Sequence, residues 1–352
     1  MSFDNALQRL WYGPAWRSLP LWPLSWLFRG VVATRAWAFR TGLLPRVAVG
    51  VPVVVVGNVT VGGTGKTPVA AWLARQLTLR GHRVGVVLRG YRAGHRGDPR
   101  VVELSDNAAV VGDEALLHAR RGAHVVVIGA DRVAAARLAQ ARGADVIVAD
   151  DGLQHLRLAR DYELAVVDGA RGLGNGRLLP AGPLREPPAR LETTHALVVT
   201  GRGAGKTQPE PVPLRLRNPL QLAARFALGD AVNLVSGERR PLAAFAGLPD
   251  LHAVAGIGHP DAYFDALRAQ GLAFVPHALP DHVALDPSAL PFPRGASVLM
   301  TEKDAVKCAG FGQPAWWWVE LDVTFDRADA QLLLSSILER TGLAGAGVTP
   351  GG

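Results

Sequence analysis

Lys66 and Thr67 close a glycine-dense run, Gly57-Asn58-Val59-Thr60-Val61-Gly62-Gly63-Thr64-Gly65-Lys66-Thr67-Pro68. Residue types in that order suit the gripping of a polyphosphate. Glycines let backbone N–H groups converge on phosphate oxygens, and a helix beginning at the lysine adds the positive end of its dipole. The lysine then reaches the β- and γ-phosphates, and the threonine hydroxyl can ligate Mg²⁺. The usual spacing puts a glycine where this chain has Thr60, with glycines instead at Gly57, Gly62 and Gly63. Nucleotide contacts are expected from Thr60, Val61, Gly62, Gly63, Thr64, Gly65, Lys66, Thr67 and Pro68. A similar string, Gly201 to Thr207, runs into Pro209, Pro211 and Pro213. Those prolines cannot start the required helix, so Lys206 reads as a solvated loop lysine.

A Mg²⁺–nucleotide site also needs carboxylates opposite the Lys-Thr pair. Val146-Ile147-Val148-Ala149-Asp150 is an apolar strand ending in an acid, and Asp151 doubles the local charge. One carboxylate can hold the metal while its neighbour orients a water or hydroxyl; the alternative for Asp151 is to cap the following turn. Asp113-Glu114 is a second acidic pair at a helix start, where helix capping is the competing explanation.

The elements that must position these groups follow in order. Val53 to Val56 reads as a buried parallel strand, followed by a helix carrying Ala70, Leu73 and Leu77. Further strands are expected at Val84–Leu88, Val125–Ile128, Asp145–Ala149 and Leu164–Val167, with helices from Ala115 to Arg121 and up to Arg142. Alternating strands and helices imply an α/β protein with a doubly wound, mostly parallel sheet of the P-loop NTPase type. Ligands in such sheets sit beyond the carboxyl ends of the strands. Lys66, Arg89, Asp113, Asp150 and Asp168 all fall at strand ends or helix starts.

Proline density rises from Gln208 to about Pro219 and marks the approach to a boundary that could hinge. The expected division is an amino-terminal segment 1–40, a phosphate-loop domain 41–227, a smaller α/β domain 228–341 and a tail 342–352. The second domain is read from strands at 226–234, 252–257 and 297–301 and helices at 261–270 and 326–340.

The chain carries 38 basic and 30 acidic residues, a formal charge of +8, and only four of its basic residues are lysines. Arginine forks suit phosphate, carboxylate and anionic lipid, although a GC-rich genome also favours arginine. No nucleic-acid partner and no obligate protein partner are inferred. The single cysteine, Cys308, excludes an internal disulfide framework and a cysteine-based zinc site. Five of the nine tryptophans lie between Trp11 and Trp37, interleaved with arginines. The run from Ser18 to Phe28 is too short to span a bilayer, which takes about 20 apolar residues. Indole rings among cations fit the membrane interface; packing against the protein body is the competing reading.

The phosphate-loop run resembles the signature of the tetraacyldisaccharide 4′-kinases, the lipid A 4′-kinases of Gram-negative bacteria, glycine displacement included. Further similar blocks are Arg89-Gly90-Tyr91, Gly112-Asp113-Glu114, Asp150 to His155, Leu179 to Glu186, Ala255 to Pro260, Asp281-His282 and Thr301 to Lys307. The resemblance implies ATP-dependent phosphorylation of the 4′-hydroxyl of an acylated glucosamine disaccharide 1-phosphate, from the cytoplasmic face of the inner membrane, by a peripheral or monotopic enzyme. It implies Asp113 as the base, working with a histidine matched to His282, with His259 the rival. Lys66 and Asp151 complete the expected catalytic group, and Thr67, Asp150 and Glu114 the Mg²⁺ set. Arg89, Tyr91, Arg132, Gln154, His155, Arg185 and Glu186 match positions associated with the lipid substrate. A P-loop ATPase serving a membrane partner is the alternative. It would not be a GTPase of the usual kind, because Glu302-Lys303-Asp304 has the wrong spacing for a guanine loop.

Overall fold

The computed structural model describes residues 10–90, 94, 97–201, 220–257, 260–280, 286–288, 290–308 and 310–343. The valine run forms β1 (Val53–Gly57), buried at every position. Strands β2 (Val84–Leu88), β4 (Val125–Ile128) and β5 (Val146–Asp150) are buried throughout as well, and β3 (Arg100–Val101) is a short edge strand. Strands covered on both faces must be apolar throughout rather than alternating, which is why these segments are so legible. β6 (Tyr162–Asp168), β7 (Ala196–Gly201), β8 (Leu220–Asn233), β9 (Arg239–Arg240), β10 (Leu251–Ala255), β11 (Val275–Ala278), β12 (Ser297–Thr301) and β13 (Trp316–Phe325) complete the set. All belong to one thirteen-stranded sheet of order β11-β10-β12-β13-β8-β7-β6-β1-β5-β2-β4-β3, with β9 paired onto β8. Pairing is parallel except at β3–β4, β8–β9 and β8–β13.

The helices are α1 (Trp22–Arg40), α2 (Lys66–Thr78), α3 (Ala108–Val111), α4 (Asp113–Arg120), α5 (Arg132–Ala141), α6 (Pro260–Ala269), α7 (Glu302–Lys307) and α8 (Arg327–Thr341). One apolar layer joins Leu73 and Leu77 of α2, Leu116 of α4 and Leu333 of α8 to one face of the β1–β7 region. Ala135, Ala136 and Ala139 of α5 cover the other face. The β10–β13 region has its own two layers, around Phe264 and Trp317 on one side and Phe292 and Trp316 on the other. The expected doubly wound, mostly parallel α/β sheet is what forms.

The two regions are continuous through β8. Its start pairs parallel with β7, from Ala196↔Leu220 to Gly201↔Arg225, and the stretch Ala224–Asn233 pairs antiparallel with β13. Residue 228 therefore lies inside a strand. The proline-rich stretch expected to act as a hinge, with Lys206 just ahead of it, and most of the 342–352 tail fall outside the described residues. Strand β13 is an addition to the sequence reading. Its β signal is present, with Trp316 to Val319 buried and alternation after that, but its partner lies some ninety residues upstream.

The amino-terminal segment forms a short 3₁₀ turn, Ala15–Leu21, and α1. Ser25 is the one fully buried side chain of α1 and donates to the Leu178 carbonyl at 2.7 Å. Ser18 is also buried and meets Arg177 Nη1 at 2.6 Å. Trp11 is buried and donates from Nε1 to the Pro180 carbonyl at 2.9 Å, and Phe28 packs on the core, whereas Trp16, Trp26 and Leu27 are 66, 63 and 69 % exposed. Guanidinium groups stack on this aromatic face, Arg177 over Trp22 at 4.5 Å and Arg29 over Trp26 at 5.2 Å. No described helix is long and apolar enough to cross a membrane.

Candidate active site

Parallel register gathers the site. Val56 of β1 is level with Asp150 of β5, Val87 of β2 with Ala149, and Leu88 with Ile128 of β4. The segments carrying Gly57–Thr67, Arg89, Arg132 and Asp150–Asp151 consequently leave the sheet at one end, beyond the carboxyl ends of the strands.

Gly65 is the N-cap of α2, with φ +83°, and Lys66 is the first helical residue. Gly62 also has positive φ, and Gly62 and Gly63 lie open to solvent. The loop is braced from behind. Asn58 Nδ2 donates to Thr64 Oγ1 at 3.1 Å, and Thr200 Oγ1 to the Thr64 carbonyl at 3.0 Å. Val61 N donates to the Pro183 carbonyl and Arg185 N to the Val59 carbonyl, with Thr60 bridged to Leu184. This pairing accounts for the missing glycine. Thr60 sits in a short ladder where an ordinary residue fits, and the positive-φ turn has moved to Gly62.

Asp151 faces the loop. One carboxylate oxygen is 3.8 Å from Lys66 Nζ, and both oxygens accept from Arg185 Nη1 at 3.1 Å. Its φ of +54° is left-handed, uncommon for a residue with a Cβ, though aspartate is among the types that tolerate it. Turn capping does not describe this side chain. Gln154 Nε2 donates to the Asn58 carbonyl and to Glu186 Oε2, both at 3.0 Å. Glu186 is buried and also faces Arg190 at 3.8 Å.

Asp150 is almost wholly buried, with Oδ2 3.0 Å from His118 Nε2. Burial pushes its carboxyl up. The His118 hydrogen bond and the nearby charge, with Lys66 and the Thr67 hydroxyl, outweigh that and hold it below the usual range. Oδ1 of the same carboxylate is buried with no partner. An orphaned anionic oxygen beside a buried Thr67 hydroxyl is a fitting place for Mg²⁺, which takes one or two protein oxygens and fills its octahedron with phosphate and water. Among the described residues no three His, Cys, Asp or Glu side chains converge on a metal-sized site.

Arg132 is 3 % exposed; Nη1 donates to the Gly129 carbonyl at 2.7 Å, while Nε and Nη2 are buried without partners. Burial lowers its pKa to about 10, despite the opposing pull of Asp151 and Asp150. Two unsatisfied donors on a cation held this way are costly unless an anion arrives. His155 shares the field. Burial, then Arg132 and Arg89, push it down to about 4, so its ring is neutral at physiological pH.

Asp113 and Glu114 occupy the first turn of α4, whose N-cap is Gly112 at φ +90°. Both are partly exposed, and Glu114 Oε1 lies 3.8 Å from Lys303 Nζ. His118 is on the same helix, about 7.5 Å along the axis from Asp113 at 1.5 Å per residue. Its contact with Asp150 ties this helix to the carboxylate strand. Tyr91, His259 and His282 lie outside the described residues.

His118, Asn58 and Thr200 are additions to the residues read from sequence. His118 left one signal, a histidine three residues after Ala115 in a helix buried from Ala115 to His118. Nothing local marks Asn58 or Thr200 as loop braces.

The family model of "Tetraacyldisaccharide-1-P 4'-kinase" matches residues 17–339. A tetraacyldisaccharide 4'-kinase of Thiobacillus denitrificans is 49% identical over 323 residues, spanning 90% of this chain and 94% of that protein. Its counterpart in Nitrosococcus oceani is 41% identical over 334 residues, spanning 95% and 94%. Among solved structures, LpxK from Aquifex aeolicus in complex with ATP superposes with a TM-score of 0.78 at 27% identity, covering 92% of this chain and 99% of that one. A braced phosphate loop faced by an acid-ended strand, and sequence agreement across nearly the whole length, lead to one conclusion: the chain belongs to the tetraacyldisaccharide-1-P 4'-kinase family.

Proposed function

We propose that this protein transfers the γ-phosphoryl group of ATP to the 4′-hydroxyl of a tetraacylated glucosamine disaccharide 1-phosphate, forming the lipid A precursor. The observation that carries the reading is the placement of Asp151 between Lys66 of the phosphate loop and Arg185 of the Leu179–Glu186 segment. One carboxylate thereby joins the nucleotide grip to the acceptor side.

In this reading the open N–H groups of Gly62 and Gly63 and the start of α2 hold the phosphates, and Lys66 neutralises charge developing on the β–γ bridge. Thr67, Asp150 and Glu114 would hold Mg²⁺, which when bound would balance phosphate charge. The Asp113 carboxylate takes the proton of the 4′-hydroxyl as its oxygen bonds to the γ-phosphorus and the bond to the bridging oxygen breaks. His282, with His259 as the alternative, orients that carboxylate. Arg132, Arg89 and Arg185 supply donors for the sugar and its phosphate. Gln154, His155, Glu186 and Tyr91 would contact the lipid substrate. Residues 41–227 would act as the phosphate-loop domain and 228–341 as a smaller domain bearing the histidine.

Acyl chains leave a bilayer at about 0.8 kcal/mol per methylene, so the enzyme must work at the membrane surface. The outward tryptophans and arginines of residues 10–40 dock it there, on the cytoplasmic face where ATP is available.

Incubation with labelled ATP, Mg²⁺ and detergent-dispersed disaccharide 1-phosphate should label the lipid, and Asp113→Ala should lower turnover far more than ATP affinity. Label released only as free phosphate, whether or not lipid is present, would mark an ATPase instead.

A further inference from the structure

Helix α4 is held by the β10–β13 half of the chain, through an apolar layer that Val306 shares with Ala115 and Leu116 and through charged contacts at both ends. Just past its C-terminal end, Arg121 Nε lies 3.1 Å from both carboxylate oxygens of Glu302, and Nη2 lies 2.5 Å from Oε2. Nη2 also donates to the Leu321 carbonyl at 2.8 Å, and Nη1 reaches Asp322 at 3.4 Å. The pair is sealed from water: the side chains of Arg121 and Glu302 are 14 and 4 % exposed. Near the other end of the helix stands the Lys303–Glu114 contact. Glu302 and Lys303 are consecutive, the first two residues of α7. One short helix thus clasps both ends of another.

A buried ion pair adds little stability over an apolar contact of the same size, because desolvating both charges offsets their attraction. A planar guanidinium gripping one carboxylate does fix distance and angle. Helix α4 is only eight residues long, so two charged clasps and the His118–Asp150 contact leave its axis little freedom.

We propose that Arg121 and Glu302, assisted by Lys303 on Glu114, are positioning residues through which the second half of the chain sets where the Asp113 carboxylate stands relative to the phosphate loop. The proposal rests on Asp113 being the base. A displacement of the base by an ångström can cost orders of magnitude in rate, which gives a clasp this far from the chemistry a kinetic role.

The full-length protein is assayed with ATP, Mg²⁺ and detergent-dispersed disaccharide 1-phosphate. Arg121→Lys and Glu302→Gln should each lower kcat about tenfold, and Lys303→Met about threefold, with KM for ATP changed less than about twofold. In an Asp113→Ala background the same substitutions should have almost no further effect, because the group they position is gone. Wild-type kcat in Arg121→Lys and Lys303→Met overturns the proposal, and so does an undiminished loss in the Asp113→Ala background. Should Glu302→Gln fail to fold, the other two variants decide. Near-normal turnover in Asp113→Ala alone would remove the base reading and this proposal together. An inactive Asp113→Ala beside fully active clasp variants removes only the proposal.

Discussion

His118 Nε2 stands 3.0 Å from Asp150 Oδ2, with both side chains 1 % exposed. The contact joins α4, which begins with Asp113, to the end of β5, whose other carboxylate oxygen has no protein partner. Groups that orient a metal-binding carboxylate typically matter 10–100-fold, by about that factor in affinity or rate. His118→Ala is therefore expected to raise the Mg²⁺ concentration for half-maximal activity by about tenfold or more. A Mg²⁺ titration of the variant checks this, and an unchanged midpoint would detach His118 from the proposed Mg²⁺ site.

Gly65 admits no side chain. Its φ is +83°, and a Cβ built there would lie 2.2 Å from Phe226 Cζ on β8. Gly65→Ala combines a left-handed strain of about 1–3 kcal/mol with overpacking of similar size. The variant should melt several degrees lower and lose ATP binding. Phe226→Ala in the same chain should recover part of the melting temperature, since it removes the clash and leaves the backbone strain. Thermal melts and ATP titrations of both variants read this directly.

His155 carries a pH signature. Its folded pKa of about 4 lies below the ordinary 6.5. As pH falls through 6.5 the unfolded chain takes up a proton that the native protein refuses until about 4. Stability is therefore lost across that window on acidification, by as much as about 3 kcal/mol. His155→Asn removes this component, so the wild type should lose more stability than the variant between pH 6.5 and 4. Denaturant melts across that range measure it, and parallel curves would contradict the assignment.

The outward face of α1 can be tested without touching the site. Burying a large apolar side chain is worth roughly 1.5–3 kcal/mol. Trp26→Ser with Leu27→Ser should accordingly weaken co-sedimentation with vesicles of anionic phospholipid by about tenfold or more. Turnover on detergent-dispersed substrate should stay within about twofold. Equal sedimentation of variant and wild type would mean that this face does not meet the membrane.

Sequence by itself determined the phosphate loop, the parallel strands and the acid-ended β5, because each is written in contiguous residues. Valine runs are apolar on both faces of a covered sheet, glycines mark the positive-φ turn, and a lysine and threonine at a helix start have one common use. It also marked Arg89 and Arg185 through short motifs, and Arg132 through the family resemblance, though not what they touch. Tertiary structure alone decided the pairings. Asp151 lies on Lys66 and Arg185, Asp150 on His118, and Glu302 on Arg121, across separations of 32 to 181 residues. Thr60 becomes intelligible only beside Leu184, and β13 only beside β8. Local pattern encodes which face of a strand or helix is apolar. Which charged groups meet depends on strand register and helix docking, and these are settled by packing between segments far apart in the chain.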